Sequence, residues 1–149
     1  MTPSVRIGGG AAAIMLLLAA SADAAPSRYL INRVNVLEPI TAVGTEPFWD
    51  VTLNGHVVTW SDPETENRTG RVGKPRLSSG KAVWKGQVSG RGAFTLTVTR
   101  GPCSDGMSDF TYPLTVKVRT SDLTFNGCAA TVAAFERRDR EGRDEGEIR

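Results

Sequence analysis

The chain has 149 residues, with 18 basic and 16 acidic side chains and a formal net charge of +2. This length predicts one domain with a modest hydrophobic core. The near balance of charge gives no reason to expect a polyanionic partner, so we expect no binding to nucleic acid.

Residues 1–24 have the pattern of a secretory leader. Arg6 provides a positive charge, residues 11–20 (AAAIMLLLAA) form an apolar run, and Ala22-Asp23-Ala24 is a small-x-small cleavage site. The run is shorter than the roughly 20 residues that a membrane-spanning helix needs. The pattern predicts a periplasmic or secreted protein, cleaved near Ala24, with no transmembrane span afterwards; an uncleaved anchor is the alternative.

The chain has two cysteines, Cys103 and Cys128, and one histidine, His56. In an exported protein two cysteines predict one disulfide. It would close a loop of about 25 residues and contribute about 3.5 kcal/mol in the chain-entropy model. Two distant thiols and one histidine do not form a zinc set, so we expect no metal site and no cofactor.

The first strands are predicted from alternation and turn residues. Residues 29–36 could form an edge strand or an ordered arm, and Pro47 indicates a turn that leads into a strand. Asn54-Gly55, between two alternating runs, predicts a type I′ hairpin. With these two residues as its loop, Trp49 would face Trp60 on the core side and His56 would lie at the rim.

The rest of the domain also indicates strands. Residues 61–80 are polar and predict a long connection that could include a short strand at 71–77. Residues 82–88 and 93–99 predict a second hairpin, and the run from residue 112 to 118 alternates with a period of two. The chain then returns through Leu123 and Phe125, and Asn126-Gly127 predicts a bulge that turns the Cys128 sulfur toward the core.

Together these elements predict an all-β fold, a small barrel or sandwich of about seven to eight antiparallel strands with one disulfide. The β domain would span residues 25–135, with residues 131–135 as a last strand or a helical turn. Residues 136–149 are almost wholly charged and predict a solvated, disordered tail, because they cannot bury enough apolar area to offset their ordering entropy.

The densest polar segment is residues 104–109 (SDGMSD). Asp105 and Asp109 with their neighbouring serines could form an oxygen-lined site for a cation or polar ligand. Alternatively, the same side chains could cap the backbone of their own turn, with Gly106 at a positive φ. A third possibility is an acid/base pair for hydrolysis.

Other motifs for catalysis are missing from the sequence. Ser89 lacks the G-x-S-x-G context, His56 adjoins a tight turn, and no glycine-rich phosphate loop follows the leader. We therefore expect no catalytic residues and no enzyme activity. Four aromatic residues are assigned mostly to the core, although they could also line an open end of a barrel and stack on an apolar ligand: Phe48, Trp49, Trp60 and Trp84.

Three motifs resemble those of a bacterial envelope family. They are residues 44–49 (GTEPFW), residues 103–113 (CSDGMSDFTYP) and residues 127–129 (GCA), where the family has G-N-E-P-F-W, C-x-D-G-M-S-D-x-x-Y-P and G-C-A. Thr45 stands where the family usually has Asn, and the lipid-attachment cysteine of many members is missing. The resemblance covers about residues 40–130 and implies an envelope-associated, lipoprotein-like domain without a known reaction.

These observations favour an exported, non-enzymatic binding module for a small ligand or an envelope protein. The candidate binding residues are Glu46, Trp49, Ser104, Asp105, Met107 and Asp109. Some relatives in the family carry a domain similar to periplasmic inhibitors of lysozyme, so inhibition of a cell-wall lytic enzyme is one alternative. A hydrolase that uses Asp105 and Asp109 is the other.

Overall fold

Eight antiparallel strands close into a barrel in the computed structural model, which describes residues 27–147. The leader expected over residues 1–24 lies outside the described residues. After a 3₁₀ turn at Ser27–Tyr29, the strands in chain order are β1 Leu30–Ile31, β2 Val34–Asn35, β3 Ile40–Thr45, β4 Phe48–Asn54, β5 Val57–Asp62, β6 Thr65–Val72, β7 Arg76–Ser78, β8 Lys81–Val88, β9 Gly92–Cys103, β10 Tyr112–Arg119 and β11 Thr124–Thr131. Helix α1, Val132–Glu147, follows.

Pairing between β6 and β8 closes the barrel. Around the barrel the strand order is β6-β5-β4-β3-β11-β10-β9-β8, and β7 pairs with β8 on the edge that β6 also uses. Each of the eight barrel strands therefore pairs with two neighbours, so none of these eight strands has an unpaired backbone edge. The predicted all-β class is confirmed, and the barrel is the correct one of the two architectures.

The core fills the barrel with the apolar residues of each alternating strand. Trp49, Trp60 and Trp84 are buried, as the hairpin pattern predicts, whereas Phe48 is 57 % exposed. The second hairpin and the alternation in β10 also agree with the prediction, because Phe94, Leu96, Val98, Leu114, Val116 and Val118 all point inward.

The first hairpin has the predicted faces but a different register. Asn54 pairs with Val57, so the loop is Gly55-His56 and Trp60 lies opposite Val51 rather than Trp49. Gly55 alone has a positive φ, 59°, which fits a type II′ turn and not the predicted type I′. The inward faces are unaffected, because the pairing partner moves by two residues and side chains alternate with a period of two.

Two further elements differ from the predictions. β6 is a full barrel strand, where the sequence predicts a polar connection. Its inward residue Gly70 lies so close to the Gln87 carbonyl that a side chain would not fit there. An apolar residue is therefore missing from this inward position, and the sequence of β6 does not show the alternation typical of a strand. Residues 29–36 form the small β1–β2 hairpin, an ordered arm whose Ile31 and Val36 pack into the core.

The predicted bulge at Asn126-Gly127 is wrong. β11 pairs with β10 without a register shift through both residues, so Cys128 points out of the barrel. The bulge lies instead between β9 and β10, where β9 has one extra residue between the pairs Cys103–Tyr112 and Arg100–Leu114. At this irregularity Tyr112 packs with Cys128 in a second cluster, whereas Leu114 packs in the barrel core.

Helix α1 occupies most of the segment predicted as a disordered tail. The helix begins at Val132, which agrees with the helical-turn alternative for residues 131–135, and continues to Glu147. Its first turns are held to the barrel by Ala134 and Phe135, whereas Arg140 to Arg143 are exposed. Phe135 lies directly before the charged residues 136–149 and packs against the barrel. The charge content of residues 136–149 alone does not reveal this contact.

Arg91 covers one end of the barrel. Its guanidinium lies 4.7 Å above the Trp60 ring and 5.7 Å above the Phe125 ring and forms an ion pair with Asp62. Asp62 also accepts a hydrogen bond from Trp60 Nε1 at 2.8 Å. These contacts order the β8–β9 turn over the core.

Candidate functional site

A second apolar cluster lies on the outside of the barrel, over β3 and β11. It contains the buried residues Tyr112, Cys128 and Ala130, and α1 covers it with Ala134 and Phe135. Phe110 packs at a ring-centroid distance of 4.7 Å from Tyr112, which lies 5.6 Å from Phe135. The cluster attaches α1 and the loop at residues 104–111 to the outer face.

Cys103 and Cys128 form the predicted pair. Their Cα atoms are 5.5 Å apart, within the usual range for a disulfide. Cys103 ends β9 and Cys128 lies in β11, so the bond holds the start of the loop at residues 104–111 against the outer face.

Asp105 organises that loop. Its Oδ1 accepts hydrogen bonds from the backbone N–H groups of Met107 at 3.0 Å and Ser108 at 2.9 Å, and from Ser108 Oγ at 3.1 Å. Its Oδ2 accepts from Tyr112 Oη at 2.8 Å. The hydrogen bond from Met107, followed by those from Tyr112 and Ser108, holds the pKa of the Asp105 carboxyl well below its usual value. Asp105 therefore stays ionised and caps its own turn.

Tyr112 connects this loop to α1. Its hydroxyl accepts a hydrogen bond from Arg138 Nη1 at 3.2 Å while it donates to Asp105. The Arg138 guanidinium also lies 5.0 Å above the Phe135 ring. Burial, and then the hydrogen bond to Asp105, raises the pKa of the Tyr112 phenol.

An open groove of about 740 Å³ runs beside these residues, along the outer side of β3, β4 and β5. Four acidic residues and one arginine line it, together with aromatic side chains from three parts of the chain. The lining residues are Val43, Gly44, Thr45, Phe48, Trp49, Asp50, Ser61, Asp62, Pro63, Glu66, Asn67, Asp105, Tyr112, Phe135 and Arg138.

Asp50 lies in this groove between Val43 and Ser61, its neighbours on the adjacent strands. The side chain is half-buried, and burial raises the pKa of its carboxyl. Within residues 27–147 it has neither a hydrogen bond nor an ion pair. A partly buried carboxylate without a partner lowers the stability of the folded protein. Asp50 is therefore not in this position to stabilise the strand.

The indole of Trp49 forms part of the groove at its junction with the core. A Cβ on Gly44 would overlap Trp49 Nε1, and a Cβ on Gly127 would overlap the Val43 carbonyl and approach the indole at 3.0 Å. Trp49 is 4 % exposed, and its Nε1 has no hydrogen-bond partner in the described chain. Residues from all three sequence motifs therefore meet here, since Asp105 and Tyr112 of the second motif line the same groove.

The structure brings together only some of the predicted site residues. Trp49 and Asp105 line the groove, whereas the other four do not. Glu46 lies in the β3–β4 turn, at a cis peptide bond with Pro47. Three are exposed on the loop and lie outside the groove lining: Ser104, Met107 and Asp109.

Sequence reasoning missed Asp50, Phe135 and Arg138. It placed Asp50 correctly on the solvent side of the hairpin, but no local pattern indicates that α1 and a distant loop would form walls beside it. The spacing of Phe135 and Arg138, three residues apart and hence on one helical face, was the available signal for α1.

Among the described residues, no cluster of three or more histidine, cysteine or acidic side chains is arranged to hold a metal ion. Over the same part of the chain, no helix combines the length and apolarity needed to cross a membrane. Comparisons with protein-family models, with curated proteins and with solved structures found no match.

Proposed function

We propose that this chain is an exported, envelope-associated binding protein without catalytic activity, and that its ligand places a cationic group in the groove beside Asp50. Two features support export, namely the leader pattern of residues 1–24 and the disulfide, since disulfides persist mainly outside the cytoplasm. The observation that carries the binding proposal is the half-buried Asp50 carboxylate without a partner in an open groove.

The chemistry of the groove favours an amine or a guanidinium group. A cation beside Asp50 would offset the desolvation of the carboxylate, and the exposed Phe48 ring could contact its apolar stem. Arg138, stacked on Phe135 at 5.0 Å, illustrates how an arginine packs on an aromatic wall of this groove. A lysine or arginine side chain of an envelope protein has this chemistry, and so does a small amine.

Calorimetric titration with a tri-arginine peptide tests the proposal, with tri-glutamate as the charge control. The Asp50→Asn variant should bind tri-arginine about tenfold more weakly, a loss of about 1.4 kcal/mol. Asp122→Asn is the matched control, because Asp122 is an exposed acid in the β10–β11 turn. Equal affinity of both variants and the wild type would contradict the proposal.

Inhibition of a cell-wall lytic enzyme is the second candidate function, and one observation favours it. Met107, 69 % exposed, and Asp109 lie on a loop that the disulfide and Asp105 hold in place. A rigid, acidic loop suits insertion into a basic catalytic cleft. A lysozyme inhibition assay tests this, with loss of inhibition expected for Met107→Ala combined with Asp109→Asn.

The hydrolase hypothesis receives less support from the geometry. A general acid must hold a proton near neutral pH, whereas the hydrogen bonds to Asp105 keep its carboxyl ionised. The hydrogen bonds described for Asp105 hold its own loop together and join that loop to Tyr112 at the start of β10.

A further inference from the structure

The cations of the barrel are concentrated on one side. Between Glu66 and Asp105 the sequence contains eight lysines and arginines and no acidic residue. This segment forms most of β6, together with β7, β8 and β9. The net charge of the whole chain does not show this separation of basic from acidic residues, because the acids lie in other segments.

The strand register places four of these cations and two from β10 on one outer face, which we call the basic wall. Its cations are Arg71, Arg76, Lys81, Lys85, Lys117 and Arg119. In one row across the sheet, Lys85, Thr95 and Arg119 are direct neighbours. In the next row, Arg76, Val83, Thr97 and Lys117 follow one another. Side chains that share such a row project from the same face of the sheet.

The basic wall is exposed and unpaired. All six cations are solvent-exposed, and none forms an ion pair with any residue of the described chain. The side chains between them are threonine, glutamine, valine and alanine, with no carboxylate. Adjacent strands lie about 4.8 Å apart, so Lys85 and Arg119 are separated by about 10 Å.

Two features of the wall indicate which anion it fits. Its cations form a two-dimensional array over β6 to β10, on the convex outside of a barrel, instead of following one groove. The wall positions also contain no aromatic side chain on which a base or a sugar ring could stack. Ionic contacts and hydroxyl hydrogen bonds spread over a convex face suit a layer of phosphate groups.

We propose that the basic wall docks the protein on a membrane surface rich in anionic phospholipid. The lipid phosphates would accept hydrogen bonds from the lysines, arginines and threonine hydroxyls of the wall. In the strand order, β9 lies at the centre of the wall and is four strands from β4 in either direction around the barrel. A docked protein would therefore turn the groove beside Asp50 away from the membrane.

Vesicle co-sedimentation tests this with the wild-type chain and two triple variants of equal charge change. The wall variant carries Lys85→Gln, Lys117→Gln and Arg119→Gln. The control carries Arg137→Gln, Arg140→Gln and Arg143→Gln on the exposed side of α1. All three proteins are produced in the same way and share the same N-terminus, so differences among them report the substituted cations. Near-ultraviolet circular dichroism establishes that each is folded.

The wild type should bind vesicles containing phosphatidylglycerol more tightly than vesicles of phosphatidylcholine alone, and added salt should weaken the binding. Each cation near such a surface is worth about fivefold in partition, so the wall variant should lose about a hundredfold. The α1 control should lose at most a few-fold. Equal losses in both variants would overturn the proposal, as would wild-type binding to heparin or DNA without binding to the anionic vesicles.

Discussion

The Tyr112 hydroxyl donates a hydrogen bond to Asp105 Oδ2 at 2.8 Å, which joins the start of β10 to the loop that precedes it. The same hydroxyl accepts from Arg138, so one phenol connects the barrel, the loop and α1. These hydrogen bonds give Asp105 a structural role, whereas Asp50, which lines the same groove, has no side-chain partner in the described chain.

Asp105→Asn should lower the free energy of unfolding by about 1–3 kcal/mol, the usual cost of disrupting hydrogen bonds to a charged group. Asp109→Asn is the matched control and should change it by less than about 0.5 kcal/mol, because Asp109 is exposed. Urea denaturation of both variants measures the difference. Equal stability of the two would contradict the capping role.

Acid should remove the contribution of Asp105. Its folded-state pKa is lowered, so its stabilisation is fully present above the unfolded value of about 3.9 and is lost as pH falls below it. The stability gap between wild type and Asp105→Asn should therefore be constant near neutral pH and shrink below about pH 4. Urea unfolding at several pH values measures the gap, and a gap that widens in acid would reverse the assigned sign.

Asp50 should show the opposite behaviour. Burial raises its pKa, so the ionised carboxylate costs stability above its unfolded pKa. Asp50→Asn should therefore leave the melting temperature at neutral pH unchanged or raise it. A clear drop in melting temperature would mean that Asp50 is a structural residue.

Gly44→Ala should be strongly destabilising, because the new Cβ would overlap Trp49 Nε1. A shift of the indole would disturb its stacking on Trp60, at a centroid distance of 6.2 Å, and cost about 1–3 kcal/mol. Gly142→Ala in α1 is the control, since a Cβ there meets nothing within 4 Å and alanine favours helix. Thermal melts compare them, and similar melting temperatures would show that Trp49 has more room than the structure indicates.

Sequence reasoning works here where the information is local. The alternation in β9 and β10 predicts both strands, and the pair Cys103–Cys128 follows from having two cysteines in an exported chain. Hairpin register was not predictable at this level, because Asn54-Gly55 and Gly55-His56 both offer a glycine that tolerates positive φ.

The candidate site required long-range information. Asp50, Tyr112 and Arg138 come from β4, the start of β10 and α1, which meet only in the folded barrel. The sequence does not predict β6, because its outward residues are polar and its inward residue Gly70 adds no apolar side chain to the pattern. The net charge of +2 does not predict the basic wall, because it sums over cations and acids that lie on different sides of the barrel.

The pKa of the Asp50 carboxyl reports whether a cationic group binds beside it. Carbon-detected NMR titration of Asp50 should give a pKa above the usual value of about 3.9 in the free protein, because burial disfavours its charge. Adding tri-arginine peptide should lower that pKa, since a nearby positive charge favours the carboxylate. A pKa for Asp50 that the peptide leaves unchanged, at concentrations where calorimetry detects binding, would show that the bound cation does not lie beside Asp50.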